Sequence, residues 1–235
     1  MRVGLLSTLD APFLGYIIRE FIKLNISISS IILDAKMQDP KDHRIHEERT
    51  GSRLPPLPLD RFESLTIPFY FVTSHSSGIT EDLVRKLKLD LLVNAGTPRI
   101  LKPTILNAPT IGIVNCHPGL LPQFRGCTCV EWAIFLDEQI GNTVHFMNEG
   151  IDEGPIVLQE GLTFNKCDQY IDVRIKVYEH GNALLAKGVK KIIPEGLTPC
   201  NLPPQGKGRY FEVVPPDKMG KVLEKLERGE YAYQG

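Results

Sequence analysis

Residues 110–115 are apolar at consecutive rather than alternate positions, with Ile111, Ile113 and Val114 in one short run. A strand of that kind has both faces covered, which marks a central position in a mostly parallel sheet. Comparable β-branched runs occur at 3–6, 26–33, 67–72 and 89–94. Helical patterns separate them. Phe13, Ile17, Phe21 and Leu24 recur at helical spacing over 13–24, and a helix capped by Thr80 carries Glu81 and Asp82 in its first turn. The alternation predicts an α/β fold with a mostly parallel central sheet flanked by helices.

Further on, the pattern predicts a helix over 127–136 and two strands over 143–147 and 155–159, joined by a turn at 149–154. A long helix over 171–192 has a stripe of Ile171, Ile175, Tyr178, Leu185, Val189 and Ile192. Residues 34–66 are charged and proline-rich and read as a helix with surface loops. Residues 197–216 read as a long loop, and 217–228 as an amphipathic helix. The expected organisation is a catalytic domain over 1–195 followed by a C-terminal loop and helix over 196–235.

The net charge of −1 provides no field for nucleic acid or for an anionic membrane. No apolar run approaches the ~20 residues that span a bilayer. The five cysteines, Cys116, Cys127, Cys129, Cys167 and Cys200, are odd in number and scattered. They suggest no disulfide framework, and the expected location is a reducing cytoplasm. Cys127-Thr128-Cys129 lacks the spacing of a zinc pair, so no metal is expected. His43, His46 and Glu47 resemble a helical metal pattern, but among so many charges a solvated face is the expected reading.

Chemistry concentrates after the central strand, in Asn115-Cys116-His117-Pro118-Gly119-Leu120-Leu121-Pro122-Gln123-Phe124-Arg125-Gly126. Pro118 keeps His117 extended, so Asn115 and His117 share one face at the C-terminal end of the strand, where open α/β sheets bind ligands. The alternative is that Asn115 caps a turn and His117 satisfies a backbone carbonyl. Asp152 lies in a loop between Gly150 and Gly154. Its carboxylate either orients His117 and stabilises its charged form, or is a solvated turn acid.

Taken together, these segments resemble the folate-dependent formyltransferase family. Asn115-Cys116-His117-Pro118 with Leu120-Leu121-Pro122 is similar to its Asn-x-His-Pro-Ser-Leu-Leu-Pro signature, with Gly119 in place of serine. Val144-His145-Phe146 followed by Asp152-Glu153-Gly154-Pro155-Ile156 resembles its second signature. Arg99-Ile100-Leu101-Lys102-Pro103 resembles its pterin-holding segment. The resemblance implies a Rossmann-like fold and 10-formyltetrahydrofolate as donor, with no metal. Asn115 and protonated His117 would stabilise the oxyanion of a tetrahedral intermediate, and Asp152 would hold His117 and move protons. No cysteine nucleophile is implied, and Cys116 should face away from the site.

It further implies that the pterin meets Arg99, Ile100, Leu101 and the loop of Glu149, Gly150 and Ile151. His145 is either a ligand contact or a satisfied core histidine. Pro118, Gly119, Arg125 and Gly126 would lie where the acceptor enters, with Arg125 reaching a phosphate or forming a surface ion pair.

Within the family, the turn after the first strand has no glycine to cradle the phosphate of glycinamide ribonucleotide. The chain is also shorter and less basic than expected of methionyl-tRNA formyltransferases, and it lacks the regulatory domain of the hydrolases. The expectation is a single-domain sugar N-formyltransferase acting on a nucleotide-linked aminosugar for lipopolysaccharide or other surface glycan. Glycinamide ribonucleotide, another small amine, or a catalytically idle folate-binding role are the alternatives. Lys207, Arg209 and Tyr210 would hold the nucleotide or merely belong to a connector. A homodimer through the C-terminal extension or a sheet edge is a further expectation.

Overall fold

A computed structural model describes residues 1–235. Seven strands form one sheet in the order β3-β2-β1-β4-β5-β7-β8. They are β1 (Val3–Ser7), β2 (Ile28–Asp34), β3 (Phe69–Val72), β4 (Leu91–Asn94), β5 (Gly112–His117), β7 (Gly141–Phe146) and β8 (Ile156–Gly161). The first five are mutually parallel, while β7 runs antiparallel to both β5 and β8. Each expected strand forms, with ends shifted by up to two residues. Because the chain winds outward from β1 to β3 and returns at β4, the crevice above β1, β4 and β5 is a topological switch point.

The consecutive apolar residues of β5 are covered on both faces, as their pattern requires. Val114 joins a core cluster with Leu5, Val93 and Val144 beneath α1 (Leu14–Lys23) and α6 (Tyr170–Glu195). Ile113 joins a second cluster with Leu6, Leu92 and Ile105 under α3 (Gly78–Lys86) and α4 (Pro103–Leu106). Alternation then fixes the strand end. Cys116 packs with the first cluster, leaving Asn115 and His117 on the other face.

Several expectations need correction. Ser77, not Thr80, caps α3, accepting a bond from the Thr80 N–H. The predicted stripe of α6 holds only in its second half. Val173 and Val177 are buried instead of Ile171 and Ile175, because that half faces a third cluster. This cluster joins α5 (Cys129–Leu136) to Val222 and Leu226 of α7 (Pro216–Glu227) and to Tyr231. His46, in α2 (Pro40–Thr50), is buried against Phe13 and bonded to the Leu54 carbonyl, so the solvated-face reading fails for it. The loop after α6 contains a short strand, β9 (Tyr210–Phe211), which pairs in parallel with β6 (Arg125–Gly126).

Helix α6 approaches β7 at Gly188, where an added Cβ would lie 2.7 Å from Cγ1 of Val144 and 3.1 Å from its Cβ. A β-branched neighbour in a sheet interior has little freedom to move aside. Gly188→Val should therefore destabilise the fold by about 1–3 kcal/mol in urea denaturation. An unchanged midpoint and slope would contradict this packing.

Candidate active site

The polar ends of β4, β5 and β7 meet on one face of the sheet. Register sets Asn115 opposite His145 and His117 opposite Thr143. Asn94 ends β4, and its Nδ2 donates to Asn115 Oδ1 at 2.9 Å. Nδ2 of Asn115 in turn donates to Nε2 of His145 at 3.4 Å.

Asp152 reaches the same place from the loop between β7 and β8. Its backbone is left-handed, at φ 56°, a conformation that aspartate tolerates better than most residues. One carboxylate oxygen, Oδ2, accepts the Gly126 N–H at 3.0 Å and lies 3.3 Å from Nδ1 of His117. The other lies 3.6 Å from Nε2 of His145. The structure thus brings together Asn115, His117, His145 and Asp152, which sequence separates by up to 37 positions (152 − 115).

His117 is nearly buried, and its Nε2 donates to the Phe124 carbonyl at 2.8 Å. Both alternatives read from the sequence are therefore present: the ring satisfies a backbone carbonyl and faces Asp152. A carbonyl only accepts, so Nε2 carries the proton. Nδ1 then meets a carboxylate oxygen, and one proton between them completes the pair. Burial lowers the pKa of His117, while the Asp152 carboxylate and the Phe124 carbonyl raise it. The result lies below the ordinary histidine value. At neutral pH the buried imidazole is therefore neutral, with Nδ1 facing the Asp152 carboxylate. Nε2 of His117 is directed at the Phe124 carbonyl rather than toward Asn115.

Gly119 explains how the ring fits. A Cβ there would stand 2.8 Å from Nε2 of His117 and 2.8 Å from the Phe124 carbonyl oxygen. A serine at 119 has no room while this bond exists. The same turn is fastened to β7, because Thr143 Oγ1 donates to the Gly119 carbonyl and accepts from the Leu121 N–H.

The segment from 97 to 102 is also tied down. Arg99 donates twice to Asp34, at 2.6 and 2.9 Å, and once to the Thr73 carbonyl. Burial works to raise the pKa of Asp34. The Arg99 guanidinium and the N–H groups of His75 and Lys36 outweigh it and hold the acid ionised. His75 completes this latch through Thr97 and the Ile32 carbonyl. The Arg99 side chain is thus structural, while Ile100 is exposed and Leu101 buried. The N–H groups of Arg99 and Leu101 form no bond within the chain, nor do those of Glu149 and Ile151 in the signature loop before Asp152. The Gly150 N–H is engaged by Asn148.

Of the two readings for Arg125, the structure shows the ion pair, and Gly126 contributes its backbone N–H. The Arg125 guanidinium donates to Gln205 and the Gly206 carbonyl and pairs with Glu153. The Gly126 N–H holds Asp152. Gln205 donates to the carbonyls of Asp152 and Gly154, so the C-terminal loop clamps the Asp152 turn. Arg209 pairs with Glu138 and lies over Phe124 and Phe211, leaving Tyr210 exposed. Sequence reasoning missed Asn94 and Gln205. A strand-terminal Asn-Ala-Gly was a signal for the first, while nothing in the proline-rich loop marked the second.

On the Cys116 side of the sheet, at the edge where Asn115 emerges, lies a cavity of about 260 Å³ with Phe13, Asn94, Cys116, Tyr178, Asn182 and Leu185 in its wall. Asn182 is buried, and its Nδ2 has no partner. No helix is long and apolar enough to cross a membrane.

The family model described as formyl transferase matches residues 58–189, more than half of the chain and every residue of the cluster. A methionyl-tRNA formyltransferase of Kosmotoga olearia is 27% identical over 185 residues, covering 78% of this chain and 58% of that protein. The chain spans about half the length of the curated relatives it matches. Two solved structures share the fold. Glycinamide ribonucleotide transformylase 1 from Symbiobacterium toebii has a TM-score of 0.61 at 22% identity, covering 83% of this chain and 88% of its own. A sugar N-formyltransferase from Shewanella sp FDAARGOS_354 has a TM-score of 0.62 at 19% identity, covering 96% and 88%.

Four buried histidines, His46, His75, His117 and His145, all have pKa values lowered by burial, His145 to about 4. The unfolded chain takes protons below about 6.5 that the folded site resists, so stability falls as pH drops from there. Thermal denaturation between pH 7.5 and 5 should show a falling Tm. A constant or rising Tm would contradict the burial of these rings as neutral groups.

Proposed function

We propose that the chain, which belongs to the formyl transferase family, moves a formyl group from 10-formyltetrahydrofolate to the amine of a nucleotide-linked aminosugar. One observation carries the transfer. At the end of β5 an amide with an N–H to give, Asn115, stands beside a buried carboxylate–imidazole pair, Asp152 and His117, 3.3 Å apart.

When bound, the donor supplies a formyl carbon open to attack by a neutral amine. The unpaired N–H groups of Arg99, Leu101, Glu149 and Ile151 fit a flat heterocycle rich in acceptors, and exposed Ile100 and Ile151 offer it apolar surface. Asn115 donates its second N–H to the oxygen on which negative charge develops, a fixed dipole that needs no reorganisation. Asp152 and Nδ1 of His117 take up the proton shed by the attacking nitrogen, directly or through water, and deliver it to the leaving nitrogen. Phe124 keeps Nε2 occupied, so the exchangeable proton stays on the Asp152 side of the ring.

The cavity at the edge where Asn115 emerges suits a sugar: Phe13 and Tyr178 offer ring faces, and the unpartnered Nδ2 of Asn182 offers a donor to a hydroxyl. The Shewanella sugar N-formyltransferase aligns over 96% of this chain, which supports this acceptor. Exposed Tyr210 is available to stack on a base. Asp10, held by Gln38 and His43, sets a carboxylate in the turn after β1 and opposes a phosphate there, which disfavours glycinamide ribonucleotide. Methionyl-tRNA is the second reading, favoured by the sequence relatives. An idle folate-binding protein has no use for a buried carboxylate–imidazole pair beside a free amide N–H.

The test incubates the protein and 10-formyltetrahydrofolate with nucleotide-linked 3-amino and 4-amino sugars, glycinamide ribonucleotide and methionyl-tRNA, and reads products by mass spectrometry. One sugar nucleotide should gain a single formyl group. Formylation of methionyl-tRNA alone would replace the acceptor reading. Asp152→Asn should lower kcat by about 10²–10⁴-fold with tetrahydrofolate still bound, and a wild-type rate would overturn the proton-transfer role.

A further inference from the structure

Asn115 is useful only if its amide faces the right way. Rotating the group by a half turn would present an acceptor where the developing oxyanion needs a donor. Five bonds decide the orientation. Oδ1 of Asn94 accepts two backbone N–H groups, from Gly96 at 3.1 Å and Thr97 at 2.9 Å. Those groups only donate, so Oδ1 must face them and Nδ2 must face Asn115. Nδ2 then requires an acceptor, which fixes Oδ1 of Asn115 toward Asn94 at 2.9 Å.

The other end is fixed independently. Nδ1 of His145 lies 2.9 Å from the Phe146 carbonyl, which only accepts, so Nδ1 carries the ring proton. Nε2 is then a lone pair and accepts from Nδ2 of Asn115 at 3.4 Å. Both ends of the chain are backbone groups whose polarity cannot reverse, and both dictate the same orientation at Asn115. One N–H of Asn115 is used within the chain, and the second remains to donate.

From this we infer that Asn94 is a positioning residue for the transfer reaction, acting through Asn115, with His145 as the opposite clamp. The inference rests on the reading of Asn115 as the oxyanion donor. Asn94 itself touches no reacting atom in this account. Its backbone bonds at Gly96 and Thr97 also start the loop that carries Arg99 to Leu101, so a simple truncation would disturb two things at once.

Asn94→Asp separates them. Aspartate still accepts from Gly96 and Thr97, but it offers Asn115 an acceptor instead of a donor, which favours the reversed amide. Two measurements test the inference. Long-range ¹H–¹⁵N NMR of the wild-type protein at neutral pH should find His145 neutral with the proton on Nδ1; a proton on Nε2 would overturn the polarity. Asn94→Asp should then lower kcat for the best amine acceptor by about 30-fold or more, with tetrahydrofolate affinity within about three-fold of wild type. Added to Asn115→Ala it should cost nothing further, because the interaction it supports is already gone. Wild-type turnover by Asn94→Asp while Asn115→Ala is inactive would overturn the role of Asn94 alone. Wild-type turnover by Asn115→Ala would instead overturn the functional reading beneath it.

Discussion

Coverage of β5 on both faces is the constraint on which the rest depends. With Ile113 and Val114 sealed into opposite clusters, the strand can carry polar side chains only where it emerges from the sheet, at Asn115 and His117. Neighbouring strands obey the same rule. Asn94 follows Leu92 and Val93 out of the core, and His145 lies across from Asn115 on β7. The site is where the sheet's apolar sandwich ends, and its polar groups meet because β4, β5 and β7 bring theirs to that place.

Those groups are few, and backbone atoms hold most of them. The Phe124 carbonyl fixes His117, the Phe146 carbonyl fixes His145, and the Gly126 N–H fixes Asp152. Backbone donors and acceptors have fixed polarity, so they set tautomers and amide directions that side chains alone would leave ambiguous. The C-terminal loop contributes at one remove. Through Gln205 and the β6–β9 pairing it holds the turn bearing Asp152, and so a segment remote in sequence stabilises the acid.

The sequence was most legible where burial is simple. The doubly apolar run of β5 announced a central strand, and strict alternation put Asn115 and His117 on one face with Cys116 on the other. Family resemblance added Asp152, which spacing alone could not bring within reach of His117. Local pattern failed where a distant segment decides burial. The first half of α6 turns Val173 and Val177 inward because Val222, Leu226 and Tyr231 pack there. The choice for Arg125 between a phosphate contact and an ion pair stayed open in the sequence because its pairing with Gln205 spans 80 positions. Gly119, which stands where the resembled signature has serine, leaves room for the His117 ring above it, a fit no local pattern shows.

The central claim is that the Asn115 amide and the Asp152–His117 pair transfer a formyl group. A single-turnover experiment with ¹³C-formyl donor tests it most directly, following label into the acceptor amine by mass spectrometry for the wild-type protein and for Asn115→Ala. The account predicts one labelled formyl per active site in the wild type. It predicts a rate about 10²–10³-fold slower in the variant, the usual loss for one oxyanion donor. Label appearing at the same rate in both proteins, or in no amine at all while the donor is bound, would contradict it.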